Sequence, residues 1–393
     1  MSTRDPVRIA TRGSDLALRQ AGTVKAELEK RRFDVELVEV ETTGDQIRDE
    51  LIHRLGKTGA FVRALDEEVL DGEVDLAVHS MKDVPTETPE DLVTVAVPER
   101  GPPGDLLLTA DGKSLDDLPD GAIVGTSSLR RTAQLLDGRP DLDVRPLRGN
   151  VDTRIEKLLA PELQTEHERR LEASKEKEEE EKGSGNAGEE LPPEADADAE
   201  PREVDAGSAF DRTVEEWFED LAEIERLALE REIETEYDAI VLAEAGIDRL
   251  GLDRHAEYER LPPTEFVPAP GQGALAVTGL DSDLTEAVQR AIDHPRSRVE
   301  TTVERTVLAE LGGGCVAPIG VYAVVQGEYV HATVQVYSRD GEERVADSRD
   351  LPIETHVDAA RTFAADLADR GAADLIEAAI EASDDGSAER AEE

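Results

Sequence analysis

The residues VRIATRGSDLALRQAGTVKAELEKR (7–31) contain the structural unit that decides the fold. Apolar side chains alternate over residues 7–11, which predicts a β-strand, and the polar turn RGSD follows it. Apolar residues then recur at helical spacing, and Ser14 or Asp15 stands where a helix N-cap is expected. The apolar positions of this predicted helix are Leu16, Ala17, Val24 and Leu28. A strand that leads through a polar turn into a helix is the building unit of α/β proteins.

The rest of the first hundred residues continues this alternation. Strand patterns occur at residues 33–42, 74–80 and 92–100, and a helical pattern occurs at 59–74. This order predicts a mostly parallel sheet with helices on its faces.

The same alternation resumes after Pro102 and Pro103. Strands predicted at 122–128, 142–150 and 237–245 each lead through a polar loop into a helix. Because ligands of open α/β sheets bind at the carboxyl ends of the strands, these loops are candidate binding segments.

The C-terminal part has a different pattern. A strand is predicted at 268–280 after a Pro/Gly hinge, and a helix is predicted at 290–311. Two or three strands and a helix at 357–382 follow. The elements from 290 onward indicate a small α+β domain. The predicted domains are 1–101 with 267–286 (α/β), 102–266 with an acidic insertion at 161–236 (α/β), and 287–393 (α+β).

The formal net charge of −48 is spread along the chain, with −19 in residues 161–236 and −29 in the remainder. Such a surface repels nucleic acid and anionic lipid, so neither is an expected partner. It suits a protein kept soluble in concentrated salt, where screening weakens self-repulsion, and only nine of the 44 basic residues are lysine. We expect a halophilic cytoplasm; an ordinary acidic protein with an acidic insertion is the alternative.

Further sequence features favour a cytoplasmic location. There is no apolar run of about 18 residues, and the N-terminus lacks the apolar region of a signal peptide. Cys315 is the only cysteine, which excludes an internal disulfide and fits a reducing compartment.

The acidic insertion is expected to be a solvated elaboration without a catalytic role. Residues 175–201 are poor in hydrophobic residues and rich in charge, which predicts disorder. Residues 212–234 have helical spacing and contain Trp217, so they predict one amphipathic helix that docks on the body of the protein or on a partner.

Several kinds of site are not supported by the sequence. No two of the seven histidines have metal-ligand spacing, so no metal is expected. The GKT at 56–58 is not a P-loop, because the required first glycine is replaced by Leu51.

Arginines cluster after predicted strands, although the chain is acidic. Arginine binds carboxylates with two parallel hydrogen bonds, and helix N-termini add free amides and positive potential. The set predicts a receptor for several carboxylates in a cleft between two α/β domains; the alternative for each is a solvated residue or an ion pair with a neighbouring acid. The residues are Arg12, Arg130, Arg131, Arg148, Arg154 and Arg249.

Two further positions have both a structural and a functional interpretation. Lys82 and Asp83 follow a short buried strand; they are a capping aspartate with its paired lysine, or a carboxylate that works as an acid, a base or a stabiliser of positive charge. Cys315 is a small buried hydrophobe or a covalent anchor for a cofactor, since Gly312–Gly314 leave room for a ligand to approach.

Seven motifs, in this order, resemble those of the porphobilinogen deaminases, also called hydroxymethylbilane synthases. They are TRGSDLAL (11–18), HSMKDVP (79–85), GTSSLRR (125–131), RGNVDTR (148–154), LAEAGIDRLG (242–251), APGQGALA (269–276) and GGGCVAPIG (312–320). The resemblance implies two α/β lobes like those of periplasmic binding proteins, joined by hinges, and a small α+β C-terminal domain.

The resemblance also implies an activity. Members of the family condense four porphobilinogen molecules head to tail, release ammonia and yield the linear hydroxymethylbilane. A dipyrromethane cofactor, attached to a cysteine through a thioether, primes the chain. Cys315 stands in the position of that cysteine and Asp83 in that of the catalytic aspartate. The implied partner is the small-molecule substrate alone, and the implied state is a monomer.

The remaining site residues follow from the same motifs. Those implied to bind the cofactor are Lys82, Ser128, Arg130 and Arg131, and those implied to bind substrate are Arg12, Ser14, Ser80, Arg148, Arg154, Arg249 and Lys57. Two other classes of function are the alternatives: a non-catalytic receptor for small anions with the same lobes, and an interaction protein whose working part is the insertion.

Overall fold

The computed structural model describes residues 6–40, 60–184, 210, 212–314 and 317–388. Two of the candidate site residues, Lys57 and Cys315, lie outside this part of the chain, as does the GKT at 56–58. The chain divides into two compact units, one of Met1–Arg154 with Tyr237–Glu393 and one of Ile155–Glu236.

The described elements follow the predicted alternation, with two further strands, at Asp105–Thr109 and Glu257–Leu261, that were not predicted. The strands are β1 (Val7–Thr11), β2 (Val35–Glu39), β3 (Leu76–Ser80), β4 (Leu92–Ala96), β5 (Asp105–Thr109), β6 (Ile123–Gly125), β7 (Asp143–Arg145), β8 (Ala239–Ala243), β9 (Glu257–Leu261), β10 (Leu275–Leu280), β11 (Ile319–Gln326), β12 (Tyr329–Tyr337) and β13 (Arg344–Pro352). The α-helices are α1 (Asp15–Lys30), α2 (Ala60–Leu70), α3 (Leu129–Gly138), α4 (Val151–Ser184), α5 (Val214–Asp220), α6 (Glu223–Leu229), α7 (Glu244–Leu250), α8 (Asp283–Ile292), α9 (Pro295–Glu310), α10 (His356–Ala368) and α11 (Ala372–Ala388).

The first sheet has the strand order β2-β1-β3-β10-β4. Four of its strands run in one direction, and β10 runs antiparallel to its neighbours β3 and β4. Helix α1 packs on it through Val24 and Leu28, both fully buried with Ile9 and Leu76. Burying one such side chain stabilises the fold by about 1.5–3 kcal/mol.

The second sheet repeats this arrangement with the order β7-β6-β8-β5-β9. Here β5 is the strand that runs antiparallel to its neighbours, in the same fourth place that β10 holds in the first sheet. The chain crosses to the second sheet between β4 and β5 and returns between β9 and β10. This pair of α/β sheets confirms the predicted fold class.

The third sheet consists of β11, β12 and β13 in antiparallel order, which confirms the small α+β part. Its core includes Val307 of α9 and Phe363 of α10, both buried completely. The division of the chain into three domains at the boundaries given above stays a prediction.

Several predicted helices are interrupted, each for a local reason. The pattern at 290–311 covers the last residues of α8 and the helix α9, which begins at Pro295, a residue without the N–H that a continuing helix needs. The helix predicted at 357–382 is interrupted at Gly371, whose φ of 98° lies in the region that favours glycine. The single helix predicted at 212–234 is two helices, because Leu221 and Ala222 have extended backbones between α5 and α6.

The prediction of disorder from residue 175 onward is wrong for residues 175–184. They continue helix α4. Glu and Lys have high helix propensity, and neither glycine nor proline interrupts the chain between residues 162 and 182. Low hydrophobicity therefore did not exclude a helix here; the rest of that stretch, 185–201, lies outside the described residues.

The unit Ile155–Glu236 has its own internal contacts. Glu156, which is buried, accepts hydrogen bonds from Arg231, and the side chain of Gln164 donates to the carbonyl oxygen of Arg231 at 2.7 Å. Trp217 stacks on His167 with ring centroids 5.8 Å apart. Among the described helices, none is both long enough and apolar enough to cross a membrane.

Candidate active site

Two crossing segments join the first and second sheets and lie side by side. The amide of Gly101 donates to the carbonyl oxygen of Gly273 at 3.1 Å. Gly273 has a φ of 84°, and a Cβ there would lie 2.6 Å from the carbonyl oxygen of Pro102, so only glycine allows this approach. Gln272 donates through Nε2 to Pro103 O at 2.8 Å and to Asp105 Oδ1 at 2.9 Å.

A cavity of about 180 Å³ collects predicted site residues from both α/β sheets and from the C-terminal part. Lys82 and Asp83 come from the end of β3, and Ser128 and Arg130 from the end of β6. Gly314, the residue before Cys315, also lines it. The remaining lining residues are Val84, Pro85, Thr86, Ala269, Pro270, Leu308, Ala317 and Ile319.

Asp83 is presented on a single 3-10 turn, Met81–Asp83, directly after β3. The turn is fixed by its backbone, because Met81 N donates to Ala274 O at 3.0 Å. Arg305 of α9 holds the following residues by donating to Val84 O at 2.9 Å and to Pro85 O at 2.6 Å. The side chain of Asp83 is left exposed, so its carboxylate is available to a ligand.

Ser128 and the two arginines after it begin helix α3. Ser128 is the N-cap, and its Oγ accepts from Arg131 N at 3.4 Å. Both arginines are buried against Asp105, whose side chain is 0% exposed. Arg130 Nη2 donates to Asp105 Oδ2 at 2.8 Å, and Arg131 Nη2 donates to Asp105 Oδ1 at 2.7 Å.

This triad determines the charge of Asp105. Burial alone would raise the pKa of the Asp105 carboxyl. The positive charges of Arg130 and Arg131 and their hydrogen bonds outweigh burial and lower the pKa to about 2. Two guanidinium groups therefore share one carboxylate, which leaves a net charge of one positive unit in the triad.

Arg154 belongs to the same electrostatic environment. Burial, followed by repulsion from Arg131, lowers the pKa of Arg154 to about 10. Its Nε donates to Gly149 O at 2.8 Å, a neutral acceptor. An anion bound near Arg131 and Arg154 would offset this repulsion.

The other predicted binding residues lie at the carboxyl ends of strands but do not line the cavity. Arg249 of α7 donates to Gly273 O at 2.6 Å, and burial lowers its pKa. Ser14 is the N-cap of α1, as predicted, and Ser80 accepts from Gln20 Nε2 at 2.9 Å. Arg12 is half-buried after β1, and Arg148 is exposed after β7.

Sequence reasoning missed three buried residues that organise this region. Asp105 opens the apolar strand DLLLT, and Gln272 lies in the hinge motif. Glu304 of α9 binds Arg100 with two hydrogen bonds of 2.8 and 3.0 Å and accepts from Gly271 N at 2.6 Å. An acid at the start of an otherwise apolar strand was the available signal for Asp105.

The residues of the cavity fit a ligand that carries carboxylates. Lys82, Ser128 and Arg130 supply cationic and hydroxyl donors on its walls. Arg130 Nε is buried and has no hydrogen-bond partner among the described residues, so one strong donor is left to be satisfied. The fold and the cavity together fit an α/β protein with paired sheets that takes a small anionic ligand.

Two family models match the chain. One, for the dipyrromethane cofactor-binding domain of porphobilinogen deaminase, matches residues 7–166 and 224–287, and one for the C-terminal domain of porphobilinogen deaminase matches 299–369. The first match is interrupted inside the predicted insertion, so the segment absent from the family model is 167–223.

Individual relatives agree with the family models. A probable porphobilinogen deaminase of Halobacterium salinarum is 56% identical over 388 residues, covering 94% of this chain and 97% of that protein. One from Methanococcoides burtonii is 35% identical over 374 residues, covering 95% and 96%. The porphobilinogen deaminase of Sulfurimonas denitrificans is 34% identical over 372 residues, covering 94% and 95%.

The chain belongs to the porphobilinogen deaminase family. It is a transferase of tetrapyrrole biosynthesis that condenses porphobilinogen into hydroxymethylbilane, and it contains the domain that binds the dipyrromethane cofactor. The acidic composition that predicts a halophilic protein is in keeping with the similarity to the Halobacterium relative.

Proposed function

We propose that hydroxymethylbilane is built on a dipyrromethane attached to Cys315, with Asp83 as the catalytic carboxylate. The observation that carries this proposal is the cavity, which brings Asp83 together with Lys82, Ser128 and Arg130 and with Gly314, the neighbour of Cys315. When bound, the dipyrromethane supplies the pyrrole carbon to which the first substrate unit is joined.

Asp83 acts on the substrate by stabilising positive charge. Loss of the amine from porphobilinogen leaves an electron-poor pyrrole, and positive charge develops on the ring nitrogen. A carboxylate that accepts a hydrogen bond from that nitrogen stabilises this charge. The exposed carboxylate of Asp83, on a turn held at both ends by backbone hydrogen bonds, suits this role.

The basic and hydroxyl residues bind carboxylates in two groups. Lys82, Ser128, Arg130 and Arg131 hold the side chains of the cofactor. The substrate and the growing chain are bound by the second group, Arg12, Ser14, Ser80, Arg148, Arg154, Arg249 and Lys57. The lowered pKa of Arg154 supports an anion site, because the half-buried guanidinium lies near another cation.

The proposed state is a cytoplasmic monomer that functions in concentrated salt, with three domains marked by the three sheets. The acidic surface and the lone cysteine support this location and salt preference. Light scattering in molar salt tests the state: a mass near 42.7 kDa is expected, and a stable dimer would contradict it.

Substitution of Asp83 tests the catalytic role. We expect Asp83→Ala to keep the covalent adduct, because attachment is at Cys315, and to lower kcat at least about 100-fold. The matched control is Asp91→Ala, another exposed aspartate on the same part of the chain, which should leave kcat unchanged. Normal turnover in Asp83→Ala would contradict the assignment.

A further inference from the structure

The triad of Asp105, Arg130 and Arg131 has an uncharged counterpart in the first sheet. In the second sheet Asp105 lies opposite Ala243, the last residue of β8. In the first sheet Leu275 lies opposite Ser80, the last residue of β3. Since β5 and β10 hold the same place in their sheets, Asp105 and Leu275 occupy equivalent positions.

The helices facing these positions are equivalent as well. Ser14 caps α1 and Ser128 caps α3. Counted from the caps, Arg130 corresponds to Leu16 and Arg131 to Ala17. At the places that correspond to Asp105, Arg130 and Arg131, the first sheet therefore has the uncharged residues Leu275, Leu16 and Ala17.

Packing does not require those charges. Replacing a buried ion network with apolar residues of matching volume is often neutral or stabilising, so such a network is weak evidence of a role in stability. The chain already has uncharged residues at the equivalent places, with Leu275 buried and Leu16 and Ala17 half-buried. The charges of the second sheet therefore call for a role in function.

We propose that Asp105 is a positioning residue that fixes the guanidinium groups of Arg130 and Arg131 for the carboxylates of the cofactor. This inference rests on the proposed function of the site. Asp105 holds Arg130 through Oδ2 and Arg131 through Oδ1, and Gln272 of the return crossing holds Oδ1 from the other side at 2.9 Å.

A second contact to each arginine completes the orientation. Arg130 Nη1 donates to Val267 O at 2.9 Å, and Arg131 Nη1 donates to Val241 O at 3.0 Å. Each guanidinium plane is thus fixed at two points, and Arg130, with its unpaired Nε, lines the cavity. Because one carboxylate faces two cations, the site keeps one positive charge for an acidic ligand.

Two substitutions of Asp105 separate charge from packing. Asp105→Asn keeps the size and removes the charge, whereas Asp105→Glu keeps the charge and changes the size. For each variant, intact mass gives the fraction of chains that carry the two-pyrrole adduct after incubation with porphobilinogen, and kinetics give kcat. The matched control is Asp116→Asn, an exposed aspartate, which should behave as the wild type.

We expect Asp105→Asn to lower the loaded fraction at least threefold and kcat about tenfold, and Asp105→Glu to recover more than half of the loading. A packing role gives the opposite order, because asparagine fits better than glutamate, and that order would overturn the proposal. Full loading and normal kcat in Asp105→Asn would overturn it as well.

A triple variant decides the outcome if Asp105→Asn does not fold. Asp105→Leu with Arg130→Leu and Arg131→Ala introduces the residue types that Leu275, Leu16 and Ala17 supply in the first sheet. This variant should therefore fold and should not carry the two-pyrrole adduct. A folded, fully loaded triple variant would refute a functional role of the triad. A wild type without adduct would instead refute attachment of the cofactor, which distinguishes the two failures.

Discussion

The two five-stranded sheets share strand order and direction, yet they place different charged side chains at the cavity. After β3 the first sheet has a single 3-10 turn, which exposes the carboxylate of Asp83. After β8, at the equivalent place, the second sheet continues directly into the regular helix α7. The second sheet instead presents Arg130, which Asp105 holds in place at the start of α3.

The comparison separates what the fold needs from what the reaction needs. In each sheet a serine caps the helix that follows the second strand of the sheet order, β1 or β6. Six residues after the cap, each helix has a buried glutamine, Gln20 in α1 and Gln134 in α3. These shared features belong to the architecture. The differences are the exposed Asp83 with its neighbour Lys82 in the first sheet and the buried arginines held by Asp105 in the second. Asp83, Lys82 and Arg130 meet at one cavity.

The largest expected change in stability comes from breaking the charge balance of the second sheet. Asp105→Leu would leave Arg130 and Arg131 buried without a counter-ion, which should lower the free energy of unfolding by about 3–5 kcal/mol. Denaturant unfolding at constant salt measures this loss. Adding Arg130→Leu and Arg131→Ala should recover most of the lost free energy of unfolding. If Asp105→Leu alone stays within about 1 kcal/mol of the wild type, Asp105 is not the counter-ion that the two arginines need.

Sequence alone predicted most of the elements, because strand and helix periods are local, but it did not predict β5 or β9. The order of strands and helices around β1, β3 and β6 gave the α/β class, and the motifs indicated Asp83 and Arg130. The ion pairs of Asp105 with Arg130 and Arg131 could not be predicted, because these arginines lie 25 and 26 residues further along the chain. The contacts depend on how β5 inserts beside β8.

Helix interruptions were also difficult to predict. The break between α5 and α6 depends on the Glu225 side chain, which accepts from Ala222 N at 2.6 Å. No change in hydrophobic period marks that break. The helical residues 175–184 show the converse, since a charged, polar composition forms a helix there.

A smaller effect is expected from pH. The folded pKa of Asp105, about 2, lies below its ordinary value of 3.8, so its charged form stabilises the fold. This contribution, about 2 kcal/mol, is present above about pH 4 and is lost as pH falls toward about 2. In acid unfolding, the difference between wild type and Asp105→Asn should shrink across that window; a constant difference would show that Asp105 does not titrate there.

The smallest effects compare the two helix caps. Ser14 Oγ and Ser128 Oγ each accept a backbone hydrogen bond of 3.4 Å. Substitution of either by alanine should therefore lower the free energy of unfolding by about 1 kcal/mol. Ser128→Ala should also lower cofactor loading, because Ser128 lines the cavity, whereas Ser14→Ala should raise KM alone. An equal fraction of cofactor-carrying chains in Ser14→Ala and Ser128→Ala would contradict a role in cofactor binding for Ser128 alone.

The central claim is that Cys315 carries a dipyrromethane toward which the first sheet presents Asp83 and Lys82 and the second sheet presents Arg130. Intact mass spectrometry of the purified chain tests it most directly. We expect the wild type to be heavier than its sequence mass by two linked pyrrole units, and Cys315→Ala to have the unmodified mass and no turnover. An active wild type at its unmodified mass, or an adduct that persists in Cys315→Ala, would contradict the claim.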